Sequence, residues 1–178
     1  MITLSPPVHE LDHSEGPASA RVTLVEYADF ECPSCAAVQG TLEEVRRAFG
    51  PNLRFVFRHF PLRHTHPHAL AAAKAAEAAD AQGKFWPMYH RLFQRQSQLG
   101  DEDLLRHARK LGLDPERFQR DMASRTAEAR IREDLAGGAR SGVNGTPTFF
   151  IDGERYTGPY ERGALIEALA RAAVVPSR

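Results

Sequence analysis

The chain has 178 residues, 42% of them hydrophobic and 26% charged, which is enough apolar material for one domain with an ordinary core. Lys plus Arg and Asp plus Glu both number 23, so the formal net charge is zero and nothing favours nucleic-acid binding or a polybasic membrane contact. No apolar run approaches the roughly 18 residues of a membrane-spanning helix, so no membrane insertion is expected.

Residues 1–20 are polar and Pro-rich and read as a loosely held lead-in. They lack the basic start and apolar stretch of a secretory signal, which points to a cytoplasmic protein, or to a periplasmic or secreted one if the start is a processed one. Arg21-Val-Thr-Leu-Val-Glu-Tyr-Ala28 is β-branched and apolar, as a buried strand is. Asp29 to Cys32 form a turn, and Pro33 suits the first position of a helix, where its missing N–H is harmless. Val38, Leu42, Val45 and Phe49 then line one helical face as far as Gly50-Pro51. Leu53-Arg-Phe-Val-Phe-Arg-His59 alternates as a second strand, completing a βαβ unit with parallel strands.

The middle is helical. Helices are predicted over 68–81, 85–96 and 101–111, the last with acids in its first turn and bases later. Asp114-Pro115 caps another, and the apolar pattern continues through Phe118, Met122, Ile131 and Leu135, with a break near Ser124 and an end at Gly137-Gly138. Strands return at 148–152 and 155–157 around the Asp152-Gly153 turn signal, and residues 160–173 close the chain as an amphipathic helix. Trp86 is expected to anchor the core of the helical region, and the Arg/Glu-rich faces within 101–136 to be solvated.

The chain's two cysteines are Cys32 and Cys35. A bridge across two residues closes almost no loop and is a poor stability device, so the pair points to chemistry. At a helix mouth, positions i and i+3 lie within disulfide reach, and the unpaired N–H groups favour a thiolate. Cys32 reads as the exposed nucleophile and Cys35 as the residue that resolves a mixed disulfide. A zinc half-site completed by His59, His64, His66 or His68 fits the spacing poorly. Those histidines read as one satisfied strand-end residue and solvated loop residues. Tyr27 and Phe30 are expected to pack in the core rather than form a substrate rim. Glu26, six residues before Cys32, is either a strand-end carboxylate in water or a buried acid. For Thr146-Pro147, local sequence favours trans, since only about 5–6% of X–Pro bonds in folded proteins are cis.

Val25-Glu-Tyr-Ala-Asp-Phe-Glu-Cys-Pro-Ser-Cys35 resembles the active-site region of the DsbA-like branch of the thioredoxin superfamily. Gly142-Val-Asn-Gly-Thr-Pro-Thr-Phe-Phe-Ile-Asp-Gly153 resembles that family's cis-proline loop, and Arg58-His-Phe-Pro-Leu62 its strand end. The resemblance implies an α/β thioredoxin-like fold with a mixed sheet of four to five strands. A single domain over 1–178 would have its core at 17–62 and 140–173 and a helical insertion at 63–139. It implies a protein disulfide oxidoreductase acting on protein or peptide thiols, with an external thiol system as electron donor or acceptor. No metal or organic cofactor is implied, and a monomer is expected. Cys32, Cys35 and Glu26 would be catalytic, Glu26 as a buried proton relay to Cys35. Thr146, a cis Pro147, Pro33 and Ser34 would face substrate. Strongly oxidising relatives carry Pro-His between the cysteines; Ser34 lacks that cationic ring, so an intermediate potential is expected. Rival readings are a glutathione-dependent small-molecule isomerase or transferase, and a non-catalytic module binding a metal or partner.

Overall fold

The computed structural model describes residues 2–174. A five-stranded mixed sheet runs in the order β1-β3-β2-β4-β5: β1 is His13–Glu15, β2 Val22–Ala28, β3 Leu53–His59, β4 Thr148–Ile151 and β5 Glu154–Tyr156. β2 and β3 are parallel, joined by helix α1 (Pro33–Phe49); the other pairings are antiparallel. Five helices separate β3 from β4: α2 (Ala69–Asp80), α3 (Phe85–Gln94), α4 (Asp101–Lys110), α5 (Pro115–Met122) and α6 (Arg125–Arg140). Helix α7 (Arg162–Val174) closes the described chain.

Alternation along β2 places Leu24, Glu26 and Ala28 on one face of the sheet and Val25 and Tyr27 on the other. The first face meets α1, α7 and the helical insertion in the larger core, through Val38, Leu42, Phe57, Tyr89 and Leu165. The second carries a smaller core of Leu4, Val25, Tyr27, Val56, Val143 and Phe150. Phe30 packs on Phe57 and Phe93, and Trp86 lies half-buried against Phe55 and Phe85. Asp114 and Ser124 cap α5 and α6 through the N–H groups of Arg117 and Ala127. Asp152 (φ 46°) and Gly153 (φ 84°) form the predicted hairpin turn, in the left-handed pair of conformations that a tight hairpin requires.

Three expectations fail. The first 20 residues are not loosely held: they supply β1, the buried Leu4 and a bridge from Thr3 to Glu154. The reason is Arg58, whose buried guanidinium needs acceptors and finds them in Asp12 and in the carbonyls of Pro6 and Pro7. Nor does Gly137-Gly138 end a helix; α6 runs through both to Arg140. A Cβ on Gly138 would lie 2.7 Å from the Phe60 ring, so these glycines admit close packing on the sheet. The final helix begins at Arg162 rather than Tyr160, because Tyr160 is used elsewhere, as described below.

Candidate active site

β2 ends at Ala28, and four residues later Cys32 occupies the N-cap of α1 with extended backbone angles. Pro33 at N1 starts the helix without a wasted donor, leaving the first-turn N–H groups aimed at the Cys32 sulfur. Cys32, expected to be exposed, is buried at 6% exposure because the loop before β4 lies against it, and Cys35, one turn deeper, is fully buried; both are free thiols here. Pro33 and Ser34 are exposed beside them.

The turn before Cys32 is tied down from several directions. The Asp29 carboxylate accepts from the backbone N–H of Glu31 (2.8 Å) and of Leu62 (2.9 Å) and lies 2.8 Å from His66 Nδ1. Glu31 holds His68 through its N–H and ring. His66 and His68 thus clasp this turn rather than sitting free in solvent. Gln96, just beyond α3, donates from Nε2 to the carbonyls of Phe30 (2.7 Å) and Cys32 (2.9 Å).

The second wall is the loop before β4. The Thr146–Pro147 peptide bond is cis, and the Thr146 carbonyl lies 3.4 Å from Cys32 Sγ. Tyr160 donates to the Pro147 carbonyl (3.2 Å), and the Thr148 hydroxyl to that of Gly145 (2.8 Å). The Thr146 hydroxyl is buried without a hydrogen-bond partner of its own.

Glu26 lies below the cysteines, fully buried, between Phe57 of β3 and Phe149 of β4 in the sheet. Its Oε2 is 3.2 Å from the Tyr89 hydroxyl, which is 2.8 Å from Gln39 Oε1, while Gln39 Nε2 donates to the Cys35 carbonyl (3.1 Å). Glu26 Oε1 has no partner. Burial, opposed by Tyr89 and Arg46, pushes the Glu26 carboxyl up to about 8.

The two thiols are pushed apart. A hydrogen bond from the Cys35 thiol, with help from the N–H groups of Cys35 and Ser34, lowers Cys32 to about 5 despite partial burial. Burial and the Cys32 contact raise Cys35 far above the ordinary thiol range. Cys32, at the mouth of α1, is poised as a thiolate while Cys35, one turn deeper, keeps its proton.

Among the described residues, one group of three side chains is placed to hold a metal: His13, His59 and Glu77. Both rings approach a single Glu77 oxygen, at 2.6 and 2.7 Å, a hydrogen-bonded clasp joining β1, β3 and α2. The cysteines are not part of it.

All seven residues singled out from the sequence lie in this region: the cysteines with Pro33 and Ser34 at the mouth of α1, Thr146 and Pro147 opposite, and Glu26 beneath. Sequence reading missed Gln39, Tyr89 and Gln96. Gln39 was within reach, since it stands four residues after Cys35 on the same side of α1. Tyr89 and Gln96 arrive from the insertion, and no local pattern marks them.

Residues 9–170 match the Thioredoxin_4 family, described as thioredoxin. Curated relatives include a Na(+)/H(+) antiporter NhaA of Herminiimonas arsenicoxydans, 46% identical over 174 residues. An antiporter NhaA 1 of Mycolicibacterium gilvum is 44% identical over 162 residues. The chain is covered over 96% and 90% of its length, but spans only 28% and 26% of theirs. Among solved structures, a thioredoxin-like oxidoreductase from Silicibacter pomeroyi is 33% identical, with a TM-score of 0.82 over 90% of this chain and 91% of that one. BdbD from Bacillus subtilis shares the fold at 19% identity, with a TM-score of 0.83 over 97% of this chain and 98% of its own.

Proposed function

Since this chain belongs to the thioredoxin family, we propose that it is a DsbA-like protein disulfide oxidoreductase whose redox couple is Cys32–Cys35. The observation that carries the reading is the asymmetry at the mouth of α1: the N-cap thiol of Cys32 is lowered to about 5, and that of Cys35, one turn deeper, is pushed far up.

The asymmetry assigns the steps. In oxidation, a substrate thiolate attacks Cys32 of the Cys32–Cys35 disulfide, and Cys35 leaves with the electron pair and takes up a proton. A second substrate thiolate attacks the substrate sulfur of the mixed disulfide, and Cys32 leaves as a stabilised thiolate. The substrate gains a disulfide and the enzyme becomes a dithiol. Reduction runs the same steps backward, with Cys32 attacking and Cys35 resolving; an external thiol system resets the couple. Glu26, a neutral acid beneath the pair, is the proton donor to Cys35 in the first direction; in the second it first releases its proton to solvent, and its carboxylate then accepts the one from Cys35. Thr146 offers backbone groups for strand-like pairing with an extended peptide beside Pro147, and exposed Pro33 and Ser34 complete the contact surface. No metal or organic cofactor enters these steps.

The antiporter name belongs to proteins of which this region is about a quarter. No helix among the described residues is long and apolar enough to cross a membrane. The redox reading concerns this region alone.

Insulin reduction with a thiol donor tests the proposal. The chain is expected to accelerate precipitation catalytically, and Cys32→Ser to return the rate to that of the donor alone. Turnover unaffected by Cys32→Ser, or seen only with glutathione and small electrophiles, would favour a glutathione-dependent transferase instead.

A further inference from the structure

The polar chain under the cysteines has a direction that hydrogen-bond chemistry alone determines. The Cys35 carbonyl can only accept, so the Gln39 atom 3.1 Å from it is the amide nitrogen. Gln39 Oε1 therefore faces Tyr89, and an amide oxygen also can only accept. The Tyr89 hydroxyl has one proton, and the shorter contact, 2.8 Å, places it on Gln39. The remaining contact, 3.2 Å between Tyr89 and Glu26 Oε2, is then satisfied only if the proton comes from Glu26. Protonated, Glu26 donates to Tyr89, Tyr89 to Gln39, and Gln39 to the carbonyl of Cys35. Ionised, Glu26 would draw the Tyr89 proton to itself and leave the part-buried Gln39 oxygen without that donor.

We propose that Tyr89 and Gln39 are positioning residues: they orient one directed hydrogen-bond chain from Glu26 to the Cys35 carbonyl, in which Gln39 keeps the Tyr89 proton away from Glu26 and so favours the neutral acid. The other groups acting on Glu26 are few. Burial dominates and favours the acid, as does the nearby Cys32 charge, while the Arg46 guanidinium of α1 opposes them. Phe57 and Phe149, its sheet neighbours, supply no charge. Its Oε1 is buried and has no donor from the protein among the described residues, whereas a carboxylate asks for donors at both oxygens.

The consequence for exchange rests on the redox reading above. When Cys35 leaves as a thiolate, it takes the Glu26 proton. The hydroxyl of Tyr89 then turns from Gln39 to the new carboxylate, and solvent restores the proton to Glu26. Tyr89 is thus a two-position donor whose resting position is set by Gln39.

The two residues act on Glu26 with opposite signs, which makes the proposal testable apart from activity. Gln39→Met removes the competing acceptor, frees the Tyr89 proton for the carboxylate and lowers the Glu26 pKa. Tyr89→Phe keeps the ring but removes a charge-assisted donor from the carboxylate and raises the pKa. The readout is the side-chain carboxyl 13C signal of Glu26, assigned with Glu26→Gln. It is followed against pH in the full chain carrying Cys32→Ser and Cys35→Ser, so that no thiol titrates. Shifts of about one pH unit, down for Gln39→Met and up for Tyr89→Phe, are expected. Mere loosening of the core would admit water and lower both. Shifts of the same sign, or none, overturn the proposal. Should one variant not fold, the other still decides: the expected shift supports the proposal, and the opposite shift or none overturns it. The titration needs no turnover, so a failed insulin assay would end the redox reading without touching this result.

Discussion

Glu26 and Tyr27 are neighbours on β2, both fully buried, and face opposite sides of the sheet. On the Tyr27 side, Arg58 spends its guanidinium on five hydrogen bonds: two to Asp12, two to the carbonyls of Pro6 and Pro7, and one to the Tyr27 hydroxyl. Asp12 is held below the usual carboxylate range; burial alone would raise it, but Arg58 and the His9 N–H more than offset that. On the Glu26 side, one carboxyl oxygen has no partner and burial prevails. The satisfied network anchors the N-terminal segment to the sheet. The unsatisfied acid, placed under two cysteines, holds a proton near neutral pH where an exchange reaction can use it.

Breaking the satisfied side should have the larger effect. Asp12→Ala leaves Arg58 buried without its counter-ion and is expected to destabilise the chain by about 3–5 kcal/mol in denaturant unfolding. The Cys32–Cys35 potential should stay put, since the network lies across the sheet. A shifted potential would show that the two sides are coupled.

On the other side the sign reverses. Unfolded, Glu26 ionises near 4.5; folded, near 8. Between those values the folded chain holds a proton that the unfolded chain has released, so stability falls as pH rises through this window. Glu26→Gln removes that loss and should stabilise the chain by about 3 kcal/mol at pH 7, with no difference at pH 4, while slowing exchange. A destabilised variant at pH 7 would mean the acid is ionised in the folded chain.

The smallest effect is expected at Gln96, which braces the loop before Cys32 from outside the sheet. Gln96→Ala should lower stability by about 1–2 kcal/mol and speed hydrogen exchange in the first turn of α1. Unchanged protection there would remove Gln96 from the site.

Much of this was legible in the sequence, and the limits are physical. The strand-turn-helix carrying the cysteines could be read because apolar period, Pro at N1 and Gly-Pro at the end all agree locally. The hairpin at Asp152-Gly153 was legible for the same reason. The first 20 residues were misread because what orders them, Arg58, is some 46 residues away from Asp12. Gly137-Gly138 misled because glycine ends helices and also lets them approach a sheet, and only the neighbour, Phe60, decides which. Within the site, the motif residues were found and their supports were not. Tyr89 is 63 residues from Glu26 and Gln96 is 64 from Cys32, and nothing in their own surroundings marks either.

Cys32 and Cys35 are proposed to form a redox couple tuned by the Cys32 thiolate, with Ser34 contributing no charge. Equilibration with glutathione buffers, followed by thiol trapping, tests it most directly. A single two-electron transition is expected, with a potential between the roughly −270 mV of thioredoxin and the roughly −120 mV of DsbA. A chain with no such transition, or one as oxidising as about −120 mV, would contradict the account.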